Sequence, residues 1–321
     1  MARALSEAMS SAVFYGVCAM SPEPTFQRDG NRWVMPPIPA RDNCGLGDPY
    51  LTADGLATDM IIPRHLRDDD SMLAPGALAV LADSAIGFAI ITRIERPTGM
   101  ATSHLHLDIL RPFVATDTSV LCCTGRLVHD DGNHYALGQG TVVDDTGRVV
   151  ATATVGAVLI PPRMIRPPEN DGQAANEVVT AQDWTSIHHF LGSESAAPDS
   201  GATTTFTSTP RLANKSGGLH GGIGVLMGER AMQRALDGSG PHQFTLVELH
   251  ATYPRPIAAT GGEVECRATV TYRGRQLATV RGELLDQRGK VAVVVDGTYI
   301  ATGYASDTNV TLRSDDRTIA E

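Results

Sequence analysis

The chain has 321 residues, 42% of them apolar and 19% charged, enough for two globular domains with a core each. A net charge of −10 argues against a general nucleic-acid binder and against a binder of anionic membranes, and no apolar run reaches the ~18–20 residues of a membrane span. Five cysteines (Cys18, Cys44, Cys122, Cys123 and Cys266) show neither metal-ligand spacing nor an even count, which predicts a reducing, cytoplasmic setting and no bound metal.

Residues 1–50 read as an N-terminal extension. An apolar run from Ser11 to Met20 follows Glu7 and precedes no small-residue cleavage site, so it predicts a helix packed on the protein rather than a signal peptide. Pro22, Pro24, Pro36, Pro37 and Pro39 then prevent that helix from continuing. A strand is predicted from Leu51 to Pro63, an acidic turn over Arg67–Ser71, and one long apolar helix from Gly76 to Ile94. Strands follow over Ala101–Leu110, Val120–Val128, Tyr135–Val143 and Val149–Leu159. In the first of them Ser103, Leu105, Leu107 and Ile109 alternate with His104, His106 and Asp108, which predicts one buried face and one polar face without a metal site.

Residues 161–181, with Pro161–Pro162, Pro167–Pro168 and a polar run, read as a linker. Beyond it the pattern recurs. Trp184–Leu191 suggests a short helix and Ala202–Thr209 a strand, and a Gly-rich turn leads into a helix over 214–237. Strands are then predicted over 244–253, 263–272, 276–285 and 291–301, and residues 304–321 form a tail. The recurrence keeps register: Glu229 follows Asp83 by 146 residues, Arg255–Pro256 follows Arg111–Pro112 by 144, and Gly289 follows Gly147 by 142. An offset that drifts by two at each loop is the mark of a duplicated unit, here 51–160 and 182–303. Each copy is a helix against an antiparallel sheet, an α+β unit.

The chemistry concentrates in Asn214-Lys215-Ser216-Gly217-Gly218-Leu219-His220-Gly221-Gly222, followed by an apolar segment with one acid, Glu229. Glycines there open a helix whose unpaired N–H groups can point at an oxygen. In the first copy an acid, Asp83, stands within the apolar run Ala79–Gly87, where a charge is costly unless it has a partner or a task.

Asn214, His220-Gly221-Gly222, Glu229 and Tyr253-Pro254-Arg255-Pro256, with Asp83, Thr102 and Leu110-Arg111-Pro112 in the first copy, resemble the PaaI-like hotdog-fold acyl-CoA thioesterases, here as a tandem double hotdog. The resemblance implies paired repeats with helices side by side and a thioester between them. One repeat would supply Asn214 and the Gly221 N–H to the developing oxyanion, and the other Asp83, as nucleophile or general base, with Thr102. His220, Gly222 and Lys215 would contact substrate, and Lys215, Arg273 and Arg275 would neutralise coenzyme A phosphates. The implied partner is acyl-CoA, with no cofactor beyond the coenzyme A of the substrate, and two tandem chains can pair as a homodimer.

On the residues alone, Asn214 can also brace its turn through its own backbone bonds, and His220 can do the same. A second site around Glu229 looks impaired. Pro75 stands where Gly221 would and has no N–H, Asp68 replaces Asn214, and Leu246 replaces Thr102. Glu229 is then expected to pair with Arg230 or Arg234. Two other functions compete: a non-catalytic acyl-CoA-binding or sensing protein, and a hotdog enoyl-CoA hydratase or dehydratase, for which His65 before Pro75–Gly76 is a poor match.

Overall fold

The computed structural model describes residues 27–68, 71–94, 99–160, 184–193, 203–239 and 243–302. The predicted N-terminal helix, Cys18, the whole of the linker and the C-terminal tail lie outside the described residues.

Alternating apolar residues build a sheet of thirteen strands, every pairing antiparallel. In chain order the elements are β1 (Gln27–Asp29), β2 (Arg32–Val34), α1 (Pro39–Asn43), β3 (Tyr50–Leu51), β4 (Leu56–Ile61), α2 (Ala77–Ile91), β5 (Gly99–Ile109), β6 (Val120–Asp130), β7 (Tyr135–Asp144) and β8 (Val149–Ile160). After the linker come α3 (Ile187–Leu191), β9 (Thr203–Ser208), α4 (Gly221–Asp237), β10 (Phe244–Thr252), β11 (Gly262–Arg273), β12 (Leu277–Leu285) and β13 (Val291–Ala301). The strand order is β1-β2-β3-β4-β6-β7-β8-β5-β10-β13-β12-β11-β9. From β4 to β5 and back from β9 to β10, the two halves mirror one another strand for strand.

They meet at β5 and β10. There Leu107 pairs with Leu249 and His106 with His250. His250 is the 144-residue equivalent of His106, so a pseudo-two-fold axis passes between the two histidines. Leu105, Leu107 and Ile109 are buried as the alternation predicted, and a bulge at Ser103 restores Thr102 to the buried face.

The two long helices lie side by side under the sheet, α2 against β4 and β6–β8 and α4 against β9 and β11–β13. Helix α2 is buried on nearly every side because the sheet covers one flank and α4 another, which explains its unbroken apolar composition. Close approach needs glycine: a Cβ at Gly222 would lie 2.4 Å from Val80 Cα, and one at Gly76 would lie 2.7 Å from Leu226 Cα. Val80 and Leu226 are equivalent at an offset of 146, as are Gly76 and Gly222. The loops before the helices also correspond, with isolated bridges Arg67–Leu73 and Ala213–Leu219.

The N-terminal extension is part of this architecture. β1–β3 continue the sheet beyond β4, and Trp33 packs edge-on against Phe88 of α2, with ring centroids 5.9 Å apart. α1 is tied to the second repeat, Ala40 N donating to Ala213 O at 3.1 Å and Asn43 Nδ2 to Arg211 O at 3.0 Å.

Candidate active site

At the start of α4 the chain supplies His220 as N-cap, its Nδ1 accepting the Gly222 N–H at 3.2 Å. Asp83 arrives from the middle of α2, across the helix pair. Its Oδ1 accepts the Thr102 hydroxyl at 2.9 Å and its Oδ2 accepts the Gly222 N–H at 3.1 Å. The carboxylate is 8% exposed. Each of its oxygens therefore takes one hydrogen bond from the protein and keeps a lone pair. The Gly221 N–H, in the first turn of α4, has no intrahelical partner and makes no other hydrogen bond among the described residues. A Cβ at Gly221 would stand 2.6 Å from Asp83 Oδ2, so only glycine allows the carboxylate this close to the helix start.

His220 is buried, with Nδ1 3.5 Å from Asp83 Oδ2 and Nε2 3.1 Å from Ser84 Oγ. Burial holds its pKa below the ordinary value, against the pull of Asp83 and with the help of Arg41. The imidazole is accordingly neutral, its Nδ1 an acceptor and its Nε2–H a donor to Ser84. A neutral His220 meets Asp83 as an uncharged ring rather than as an ion-pair partner. Tyr253 donates its hydroxyl to Gly221 O at 3.2 Å, and burial, reinforced by Asp83, pushes the phenol well above its usual pKa, so it stays a donor.

These groups open on a cavity of about 260 Å³ lined by Asp83, Ser84, Thr102, Asn214, Lys215, His220 and Gly221, among others. Its apolar wall comes from Met35, Ile38, Gly87, Phe88, Ile91 and Met100. Arg41, Met35 and Ile38, all from the N-terminal extension, have no sequence signal that marks them for the site.

The structure brings Asp83, Thr102, Asn214, Gly221, His220 and Lys215 to one cavity and gives several of them other work. Asn214 Oδ1 accepts the N–H groups of Ser216 (2.9 Å) and Gly218 (3.2 Å), bracing the turn. Asp68 does the same in the first repeat, accepting Met72 N at 2.7 Å. The Gly222 N–H is spent on Asp83 and His220, so this residue positions the acid. Arg273 caps the far end of α4, donating to Leu236 O at 2.8 Å and to Ser239 Oγ. A 17-residue helix places that end about 24 Å from the cavity. Arg255 lines the cavity instead, as Lys215 does.

Around Glu229 the equivalent arrangement is closed. Glu229 is fully buried and held in a fork by Arg230, Nε to Oε2 at 2.7 Å and Nη2 to Oε1. Tyr299, opposite Leu246 in the β10–β13 register, is fully buried beside them, where Ala157 stands opposite Thr102. His65 packs on Trp184 and Phe190, its ring 5.0 and 4.6 Å from theirs, and does not line the cavity. Among the described residues no cluster of His, Cys, Asp and Glu is arranged to hold a metal, and no helix is long and apolar enough to cross a membrane.

Residues 216–293, from the Gly-rich turn into β13, match the family model of the thioesterase superfamily. No curated protein matches the chain in sequence. Solved structures of similar fold include acyl-CoA thioesterase II TesB2 of Mycobacterium marinum, 12% identical over 84% of this chain and 99% of that one, with a TM-score of 0.53. The 12:0-ACP thioesterase of Umbellularia californica is 13% identical over 77% and 94%, TM-score 0.51. A protein of unknown function with the hot dog fold from Alicyclobacillus acidocaldarius is 12% identical over 82% and 97%, TM-score 0.54. At these identities the likeness establishes the fold.

Proposed function

We propose, for a chain whose residues 216–293 match the model of the thioesterase superfamily, that it is a tandem double hotdog hydrolysing acyl-CoA to a free acid and coenzyme A. The observation that carries this reading is the composite site: Asp83 of one repeat held by Thr102 and by the Gly222 N–H of the other, beside the unpaired Gly221 N–H.

In the reaction the thioester carbonyl lies between Asp83 and the start of α4. Asp83 either adds to the carbonyl carbon, giving an anhydride that water then opens, or takes a proton from the water that adds. Both routes move negative charge onto the carbonyl oxygen. The Gly221 N–H donates to it there, with the positive end of α4 behind it, an arrangement worth about 3–4 kcal/mol per donor in other enzymes. The Asn214 amide nitrogen, left over from the turn, is a second donor. As the tetrahedral centre collapses, the C–S bond breaks and coenzyme A leaves as thiolate, which water protonates. Lys215 and Arg255 at the cavity provide positive charge for the coenzyme A phosphates.

Thiol release from a panel of acyl-CoAs tests the reading. Turnover that depends on Asp83 supports it, and tight acyl-CoA binding without thiol release would replace it with a binding function.

A further inference from the structure

Arg41 takes no part in the hydrolytic step. It is 5% exposed and lines the cavity. Its Nη2 donates to Gly47 O at 2.7 Å, and its other guanidinium nitrogens have no hydrogen-bond partner among the described residues. No carboxylate lies within 4.0 Å of it among those residues. The two nearest acids, Asp42 and Asp48, support its charge only from beyond ion-pair distance, and their carboxylates accept Ile38 N and Met35 N, each at 3.1 Å. Burial lowers the guanidinium pKa, but from so high a starting point that the charge persists.

A buried guanidinium whose nearest acids stand beyond ion-pair distance is poorly compensated, and the protein does not let this one escape. The backbone bond from Ala40 to Ala213 O and the Asn43 bond to Arg211 O anchor α1 on both sides of Arg41. Its charge is felt at His220, which places it near the reacting centre. The adjoining wall of Met35, Ile38, Phe88 and Met100 suits a short run of methylenes, and about 260 Å³ suits a small acyl group. A planar guanidinium fork opening into such a space matches a carboxylate in bidentate fashion.

We propose that Arg41 recognises a second carboxylate carried by the acyl group, so that the preferred substrates are coenzyme A thioesters of short dicarboxylic acids. The inference rests on the thioesterase reading above. A charge-assisted pair of this kind is expected to favour the dicarboxylic substrate at least tenfold.

The test compares kcat/KM for succinyl-CoA against butyryl-CoA and for glutaryl-CoA against valeryl-CoA, with the wild-type chain and with Arg41→Met and Arg41→Lys. Calorimetric titration of free glutarate and valerate runs in parallel. A wild-type preference of tenfold or more that falls to about one in Arg41→Met supports the proposal, with Arg41→Lys intermediate. An absent preference overturns it, as does one that survives in Arg41→Met or an equal loss on both thioesters, which would assign Arg41 to coenzyme A. If Arg41→Met does not fold, an unchanged ratio in Arg41→Lys overturns it. If the wild type hydrolyses none of the four but turns over other acyl-CoAs, the proposal is overturned, and if it hydrolyses no acyl-CoA of any class the thioesterase reading fails while the titration still decides Arg41. Glutarate and valerate binding that weakens at least tenfold in Arg41→Met supports its role, and affinities unchanged by that substitution reject it.

Discussion

Ser84 and Arg230 stand at equivalent places in the two repeats, 146 residues apart, each one residue after the acid of its helix, and they do opposite things. Ser84 turns to His220 Nε2 at 3.1 Å and leaves Asp83 open to the cavity. Arg230 folds back and forks onto Glu229. One substitution thus separates a carboxylate available for chemistry from one that is neutralised. Arg230→Ser is expected to strand a buried charge at a cost of about 3 kcal/mol, lowering Tm by roughly 6–12 °C. Because Pro75 has no N–H to offer, thiol release per chain should not rise. Thermal melts and steady-state assays of this variant check both halves.

Thr102→Val removes the hydroxyl that donates to Asp83 Oδ1 and keeps the shape of the side chain. A hydrogen bond to a charged group is worth about 1.5–3 kcal/mol, so kcat should fall by about 10–150-fold with KM little changed. A rise in KM at constant kcat would mean that Thr102 binds substrate rather than orienting the acid.

Gly221 and Gly222 separate function from packing. A Cβ at Gly221 meets only the Asp83 carboxylate, at 2.6 Å, whereas one at Gly222 meets Val80 Cα at 2.4 Å and Val80 N at 2.6 Å. Gly221→Ala is therefore expected to fold and to lose at least ~100-fold in kcat, on the scale of a lost oxyanion or positioning contact. Gly222→Ala must part the two helices, and a fall in Tm of more than about 10 °C or insolubility is expected. Soluble yield, melting curves and kcat for the pair measure the contrast.

The buried histidines set the acid limb of stability. Burial pushes His65 down to about 4, with the Asn43 backbone contact opposing it and Arg211 adding to it. The unfolded chain binds this proton near the ordinary value of about 6.5, so between pH 6.5 and about 4 it holds more protons than the folded chain, and stability falls as pH falls. Integrated to pH 4 the loss is about 3 kcal/mol for this group. His65→Phe, set between Trp184 and Phe190, should flatten that part of the Tm–pH profile, and an unchanged slope would contradict the assignment.

The duplication was legible before the structure because it is written in local patterns: apolar runs, Asp-Gly turns and Arg-Pro stops that recur at offsets of 146, 144 and 142. The strands follow those patterns to within a few residues, except that the strand expected over Leu51–Pro63 is broken by a turn at Thr52–Gly55 into β3 and β4, and the mirror order of the sheet agrees with the repeat. Asp83 was legible as a charge in an apolar helix, and the expected pairing of Glu229 with Arg230 appears in the fold. Other features depend on contacts between distant segments and leave no periodicity. Arg41, Met35 and Ile38 sit in the Pro-rich passage of the N-terminal extension, yet α1 carries them to the cavity through bonds to residues 211 and 213. Tyr299 looks like an ordinary strand residue until the β10–β13 register sets it opposite Leu246. The double duty of Asn214 and the use of the Gly222 N–H on Asp83 are matters of angle and distance within one turn, which residue spacing does not specify.

On the proposed reading one composite site works, with Asp83 as its acid. Thiol release from the best acyl-CoA substrate, measured for Asp83→Asn and Glu229→Gln side by side with melting curves to confirm folding, tests it most directly. Asp83→Asn is expected to lose roughly a thousandfold or more while Glu229→Gln turns over at close to the wild-type rate per folded chain. Near-normal turnover in Asp83→Asn with hydrolysis abolished in Glu229→Gln would contradict it.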